Sequence, residues 1–292
     1  MEANIITQLF LPLALFIIML GMGLSLVPND FKRVVLFPKA VAVGTVLKLV
    51  FIPALTFGLL YLTPMQPELA VGFVLLAACP GGATTNLISH LAKGDVALSI
   101  TLTAIASIIT VFSIPVVVNL GLTEFMEETR EIHLPFFKTI IQILVITIIP
   151  VGIGMLLNRK FPSLCRKMER PVKIVSAVFL VLIIAAALFK EKENLAEFFI
   201  KAGPLALVLN IAGMFLGYFI TLLFTKNKAQ SVTVGVEVGI VNGTLGIAIA
   251  AGILQDSVMT IPSAIYSIIM FPAVLLMIWV GNKKPKKSTA VS

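Results

Sequence analysis

Long apolar runs, separated only by short polar stretches, make up almost the whole chain. They fall near residues 5–26, 38–62, 69–91, 95–121, 136–158, 171–189, 202–225, 231–253 and 258–281. A bilayer hydrocarbon core of about 30 Å takes about 20 helical residues, and in lipid only a helix or a closed barrel satisfies its own backbone. The pattern therefore predicts an all-α polytopic membrane protein of about nine transmembrane helices. The first run carries Glu2 instead of a basic leader segment and is longer than a signal-peptide core, so it reads as a retained span.

Two of these runs are interrupted in the same way. The third contains Ala78-Cys79-Pro80-Gly81-Gly82-Ala83-Thr84-Thr85-Asn86, and the eighth contains Val236-Glu237-Val238-Gly239-Ile240-Val241-Asn242-Gly243-Thr244. Proline removes a helix hydrogen bond and glycine weakens the turn, so both are expected to be broken helices. Either break alone could be a kink or a close-packing site. A pair of them beside polar groups marks the ion and substrate site of a secondary transporter, where freed carbonyls and half-helix ends line a protein-walled cavity.

Charge is scarce, which sharpens the picture. Only 12% of the residues are charged while 59% are hydrophobic, and the net charge is +8. That excess points to anionic lipid rather than nucleic acid, because the basic residues cluster at loops on one side. With the N-terminus outside, the inner segments hold Lys32, Arg33, Lys39, Lys93, Arg159, Lys160, Arg166, Lys167, Arg170, Lys173, Lys226, Lys228, Lys283, Lys284, Lys286 and Lys287. The outer segments hold Arg130, Lys138, Lys190, Lys192 and Lys201. By the positive-inside rule the C-terminus is cytoplasmic, and the expected location is the inner (plasma) membrane.

Two charges remain away from span ends, Lys48 and Glu237. Each costs about 3 kcal/mol to insert alone, so a partner or a task is expected, and mutual neutralisation or a shared cation site is the simplest one. Glu237 offers hard oxygens, and Thr85, Asn86, Ser99 and Thr103 add more, with Ser99 and Thr103 on one helix face. Hydroxyls in membrane helices usually bond back to the preceding turn, so the glutamate is what gives this set meaning.

An enzyme is not expected. Cys79 and His90 are the one tempting nucleophile and base, but on a continuous helix they would stand about 16 Å apart. His133 lies in an acidic outer segment with Glu124, Glu127, Glu128, Arg130 and Glu131 and suggests solvation only. No His/Cys cluster or phosphate-cradling loop occurs, and Cys79 and Cys165 read as free thiols.

The chain resembles the bile acid:sodium symporter family, through Cys79-Pro80-Gly81-Gly82 with Asn86, through Leu91-Ala92-Lys93-Gly94-Asp95-Val96-Ala97-Leu98-Ser99, and through Val236-Glu237-Val238-Gly239 with Asn242. The resemblance implies inverted repeats, two crossing broken helices, a core domain from 38–121 and 202–281, and a panel domain from 5–26 and 136–189. It implies sodium-coupled symport of an organic anion, bile-acid-like or another small carboxylate, by alternating access. One sodium site is implied at Thr85, Asn86, Ser99, Thr103 and Glu237, with Thr85 standing where a serine is common. Asn242 matches a substrate-contacting position. A second sodium site of the family uses two glutamines, and here those positions are Lys48 and Val241, so one sodium is expected. A Lys48 that sheds its proton would instead couple transport to protons, and a non-transporting receptor is the further alternative.

Overall fold

The computed structural model describes residues 11–82, 84–126 and 135–283. Residues 5–10 of the first run, Ala83, the acidic segment with Glu127, Glu128, Arg130, Glu131 and His133, and Lys284, Lys286 and Lys287 lie outside the described residues.

Among the described residues every element is helical. In order they are α1 (Leu11–Leu24), α2 (Pro28–Lys32), α3 (Pro38–Val46), α4 (Ile52–Leu62), α5 (Pro67–Ala78), α6 (Thr85–Leu91), α7 (Val96–Phe125) and α8 (Phe136–Ile143). Then come α9 (Ile149–Lys160), α10 (Pro162–Lys190), α11 (Leu195–Thr225), α12 (Lys228–Gly239), α13 (Gly243–Gly252) and α14 (Ile261–Asn282).

Among the described residues six helical stretches are long and apolar enough to cross a membrane, and a seventh is obtained if α1 and the segment Pro28–Val35, bent from it by 73°, form one span. About nine were expected. The difference has two causes: the third run is cut into α5 and α6 by Pro80-Gly81-Gly82, and the apolar part of the sixth, Ile174–Lys190, is short. Helix boundaries also run past the apolar cores. The basic stretch before residue 171, read as a loop, is helical from Pro162, because proline suits a first helical turn and the charges can reach the headgroup zone.

Two helices widen by one residue just before a proline. Leu47–Phe51 and Leu144–Ile148 each form a π turn, followed by Pro53 and Pro150. A proline ring clashes with the carbonyl four residues back and donates nothing to it, and a π turn absorbs both defects. The first of these turns carries Lys48.

Helix α1 packs on α9 and α10, with Gly23 and Gly154 against the opposing backbone. Helix α11 packs on α12 and α14, and a methyl at Gly217 would lie 2.8 Å from the Cα of Gly235, so the two backbones touch there. The interrupted stretch Lys228–Gly252 is the innermost, with 94% of its apolar window buried. An element shielded from lipid on all sides can carry polar groups that a lipid-facing helix cannot.

Candidate functional site

Helix α5 stops at Ala78 because Pro80 follows and two glycines extend the gap, and α6 restarts at Thr85. Helix α12 stops at Gly239, and α13 restarts at Gly243 with the Asn242 side chain accepting from Leu245 N at 3.1 Å. The two breaks meet: Asn242 N donates to the carbonyl of Pro80 at 2.8 Å. Two half-helix N-termini and two C-termini therefore converge inside the protein, with partial positive and negative charge respectively.

Glu237 projects into this junction from the last turn of α12, 5% exposed. Ser99 Oγ donates to its Oε1 at 2.5 Å, and Thr103 Oγ1 lies 3.0 Å from both carboxylate oxygens. Thr85 Oγ1 stands 3.2 Å from Thr103 Oγ1 and donates to Gly82 O at 2.9 Å. Thr85, Ser99, Thr103 and Glu237 thus form one buried oxygen cluster, drawn from α6, α7 and α12. Asn86 is adjacent on α6 and does not join the hydrogen bonding: its Oδ1 is buried without a partner. A buried amide oxygen is normally paired, so this one has the capacity to take a ligand.

Gly81 sets the room at this cluster. A Cβ there would fall 2.7 Å from Glu237 Oε2, so Gly81→Ala is expected to push the carboxylate aside and to weaken the hold on any cation placed at the cluster by about tenfold or more, an energy of about 1.4 kcal/mol. Sodium titration of thermal stability measures it, and an unchanged midpoint would mean that the carboxylate has slack.

Lys48 does not close an ion pair with Glu237; no such pair is present among the described residues. Its Nζ donates instead to Val238 O at 3.3 Å and Ile240 O at 3.1 Å, the carbonyls freed where α12 ends. The expectation was mutual neutralisation or a shared cation site; the direct partners of the ammonium are the orphan carbonyls at a half-helix C-terminus, which attract a cation as a carboxylate does. Between them, Gly239 O accepts from Asn210 Nδ2 at 2.7 Å and from Tyr266 OH at 2.6 Å. Three successive carbonyls are capped by side chains from three other helical stretches. Val241 lies in the same break, 3% exposed, and its side chain offers no ligand.

Asn210 and Tyr266 escape a reading that weighs only formal charges in the spans. An amide in the middle of the apolar run 202–225 was the available signal. Cys79 and Cys165 are free and buried, and His90 is exposed at the end of α6, so the cysteine and histidine form no reactive pair.

Beside the breaks lies a small hollow lined by Pro80, Asn242, Ser107, Thr110, Thr147 and apolar side chains from α1 and α9. A larger, mainly apolar cavity of about 260 Å³ opens farther along the same elements, between Leu11, Leu15, Gln142, Val145, Ala248 and Gly252.

A profile described as "Sodium Bile acid symporter family" matches residues 12–198. The chain is 29% identical over 285 residues to an uncharacterized sodium-dependent transporter of Bacillus subtilis, covering 97% of this chain and 86% of that one. It is 28% identical over 281 residues to a probable chloroplastic sodium/metabolite cotransporter of Arabidopsis thaliana, covering 94% and 68%. It is 26% identical over 293 residues to the human ileal sodium/bile acid cotransporter, covering 96% and 81%.

Proposed function

The chain belongs to the sodium bile acid symporter family, a family of transporters and not of enzymes, and from that premise we propose that it carries an organic anion across the membrane by sodium-coupled symport. The observation that carries this reading is the oxygen cluster of Thr85, Ser99, Thr103 and Glu237 at the junction of two broken helices, with the unpartnered Oδ1 of Asn86 on the residue next to Thr85. Hydroxyls, an amide oxygen and one carboxylate suit a dehydrated monovalent cation, and a buried carboxylate gains most from a counter-ion.

The anion site in this reading is the hollow at Asn242. It faces the start of α13, whose positive dipole end favours negative charge although Asn242 N, Gly243 N and Leu245 N are already hydrogen-bonded within the protein. Ser107, Thr110 and Thr147 also line it, each hydroxyl donating to a carbonyl of its own helix, and the neighbouring apolar cavity suits a carboxylate with an apolar body. The packing supports a division into a core of residues 38–121 and 202–281 and a panel of 5–26 and 136–189: α11 packs on α12 and α14, and α1 on α9 and α10. The hollow lies between the two groups, so relative movement would expose it to either side. The inner (plasma) membrane is the proposed location, with the N-terminus outside and the C-terminus cytoplasmic.

We further assign one sodium per cycle. The Lys48 ammonium already holds the carbonyls of Val238 and Ile240, so positive charge at that half-helix end is covalently attached. Uptake into liposomes of labelled bile acids and small carboxylates tests the function. Saturable accumulation that needs an inward sodium gradient and gives a one-to-one ratio of sodium to monoanion is expected. Accumulation driven by a proton gradient without sodium would replace this reading with proton coupling through Lys48 and Glu237. Binding without accumulation would make the protein a receptor.

A further inference from the structure

We propose that sodium leaves the Glu237 cluster toward the inner end of the protein through a seam of oxygens between α6, α7 and α12 that is tightest at Gly94. The proposal rests on the reading that the cluster binds sodium and on the orientation assigned above.

Two of the three helices that build the cluster repeat a hydroxyl one turn farther inward: on α6, Thr85 is followed by Ser89, and on α12, Glu237 is preceded by Thr233, while on α7 the cluster's own Ser99 lies one turn inward of Thr103. The helices run in the directions this requires, because the end of α6, the start of α7 and the start of α12 are joined: Asp95 N donates to Ala229 O at 3.3 Å and to Thr233 Oγ1 at 2.7 Å. Ser89 and Thr233 are fully buried. Ser89 Oγ donates to Ser99 Oγ at 3.3 Å, which in turn reaches Glu237, so the hydroxyls are continuous with the cluster. In the outward direction the counterparts one turn away are Gly81, Ser107 and Val241, of which only Ser107 offers a side-chain oxygen.

The seam narrows at Gly94. The point where a Cβ would sit is 2.5 Å from Thr233 Oγ1, 3.2 Å from Ser89 O and 3.4 Å from Ala229 O. Three oxygens from two helices thus crowd that point and leave no room for a side chain; Ser89 O already accepts from Gly94 N at 2.7 Å, and Thr233 Oγ1 donates to Asp95 O at 3.1 Å. Asp95, half-buried, follows at the inner mouth, its Oδ1 accepting from Leu98 N at 3.1 Å. Oxygen-lined passages with several weak stations let an ion leave a site that binds it well. The same contacts also tie helix ends together, and the test separates that structural role from passage.

Wild type, Gly94→Ala, Ser89→Ala and Thr233→Val are compared in two measurements: the sodium dependence of thermal stability against choline, and exchange of radiolabelled sodium across proteoliposomes. None of the three substitutions removes a member of the Glu237 cluster, so the sodium midpoint should stay within about twofold of wild type while exchange slows by about tenfold. Exchange at the wild-type rate in Gly94→Ala or, should that variant not fold, in both hydroxyl variants overturns the route. A variant that is merely less stable in choline, with exchange unchanged, makes the seam a helix-end tie and overturns it equally. If wild type shows no sodium stabilisation at all, the cluster assignment fails first and the route falls with it.

Discussion

Glu237→Gln should abolish the sodium-dependent rise in thermal stability while leaving a folded protein. Glutamine keeps the shape and one acceptor oxygen, so Ser99 can still donate, and the amide nitrogen can donate to Thr103. What disappears is the single negative charge among the hydroxyls and carbonyls of the cluster. A ligand at 100 times its dissociation constant stabilises the folded state by about 2.7 kcal/mol, which for a chain of this size is a shift of roughly 5 to 10 °C. Unfolding followed by intrinsic fluorescence in sodium and in choline reads it directly. A variant that still responds specifically to sodium would move the ion site elsewhere.

The second large effect is expected at Lys48. Without sodium, Lys48→Gln should lose about 2 to 4 kcal/mol, because the carbonyls of Val238 and Ile240 lose a charged donor in a buried place. Sodium should restore much of that loss. The glutamine brings a neutral oxygen beside two carbonyls, which together resemble a cation site, so the sodium dependence should steepen from one ion toward two. Lys48→Met supplies the contrast, being equally destabilised but without rescue. If both variants keep wild-type stability and a one-ion curve, the ammonium is not what holds the end of α12.

Much of this was legible in the chain. Apolar length fixed the helices, and proline with paired glycines marked both breaks, since these residues act through backbone geometry that no context easily overrides. Glu237, Ser99 and Thr103 could be placed together because their helical spacing and the cost of a buried charge allow few alternatives. The partner of Lys48 could not. A buried cation is satisfied equally by a carboxylate or by the bare carbonyls of a helix end, and composition does not say which lies within reach. Asn210 and Tyr266 were missed for a related reason: they serve main-chain atoms of Gly239, and a backbone carbonyl leaves no mark in a sequence.

The tethered ammonium has an energetic consequence. A carrier that moves one sodium with one monoanion transfers no net charge when loaded, and with Lys48 and Glu237 both ionised it returns with none. Membrane voltage then does no work on either leg. A cycle with a second mobile cation would collect about 2.3 kcal/mol from each 100 mV, enough for roughly fiftyfold more accumulation. On the one-sodium reading this protein forgoes that gain, so its concentrating power follows the sodium ratio alone and persists in a cell whose membrane is depolarised.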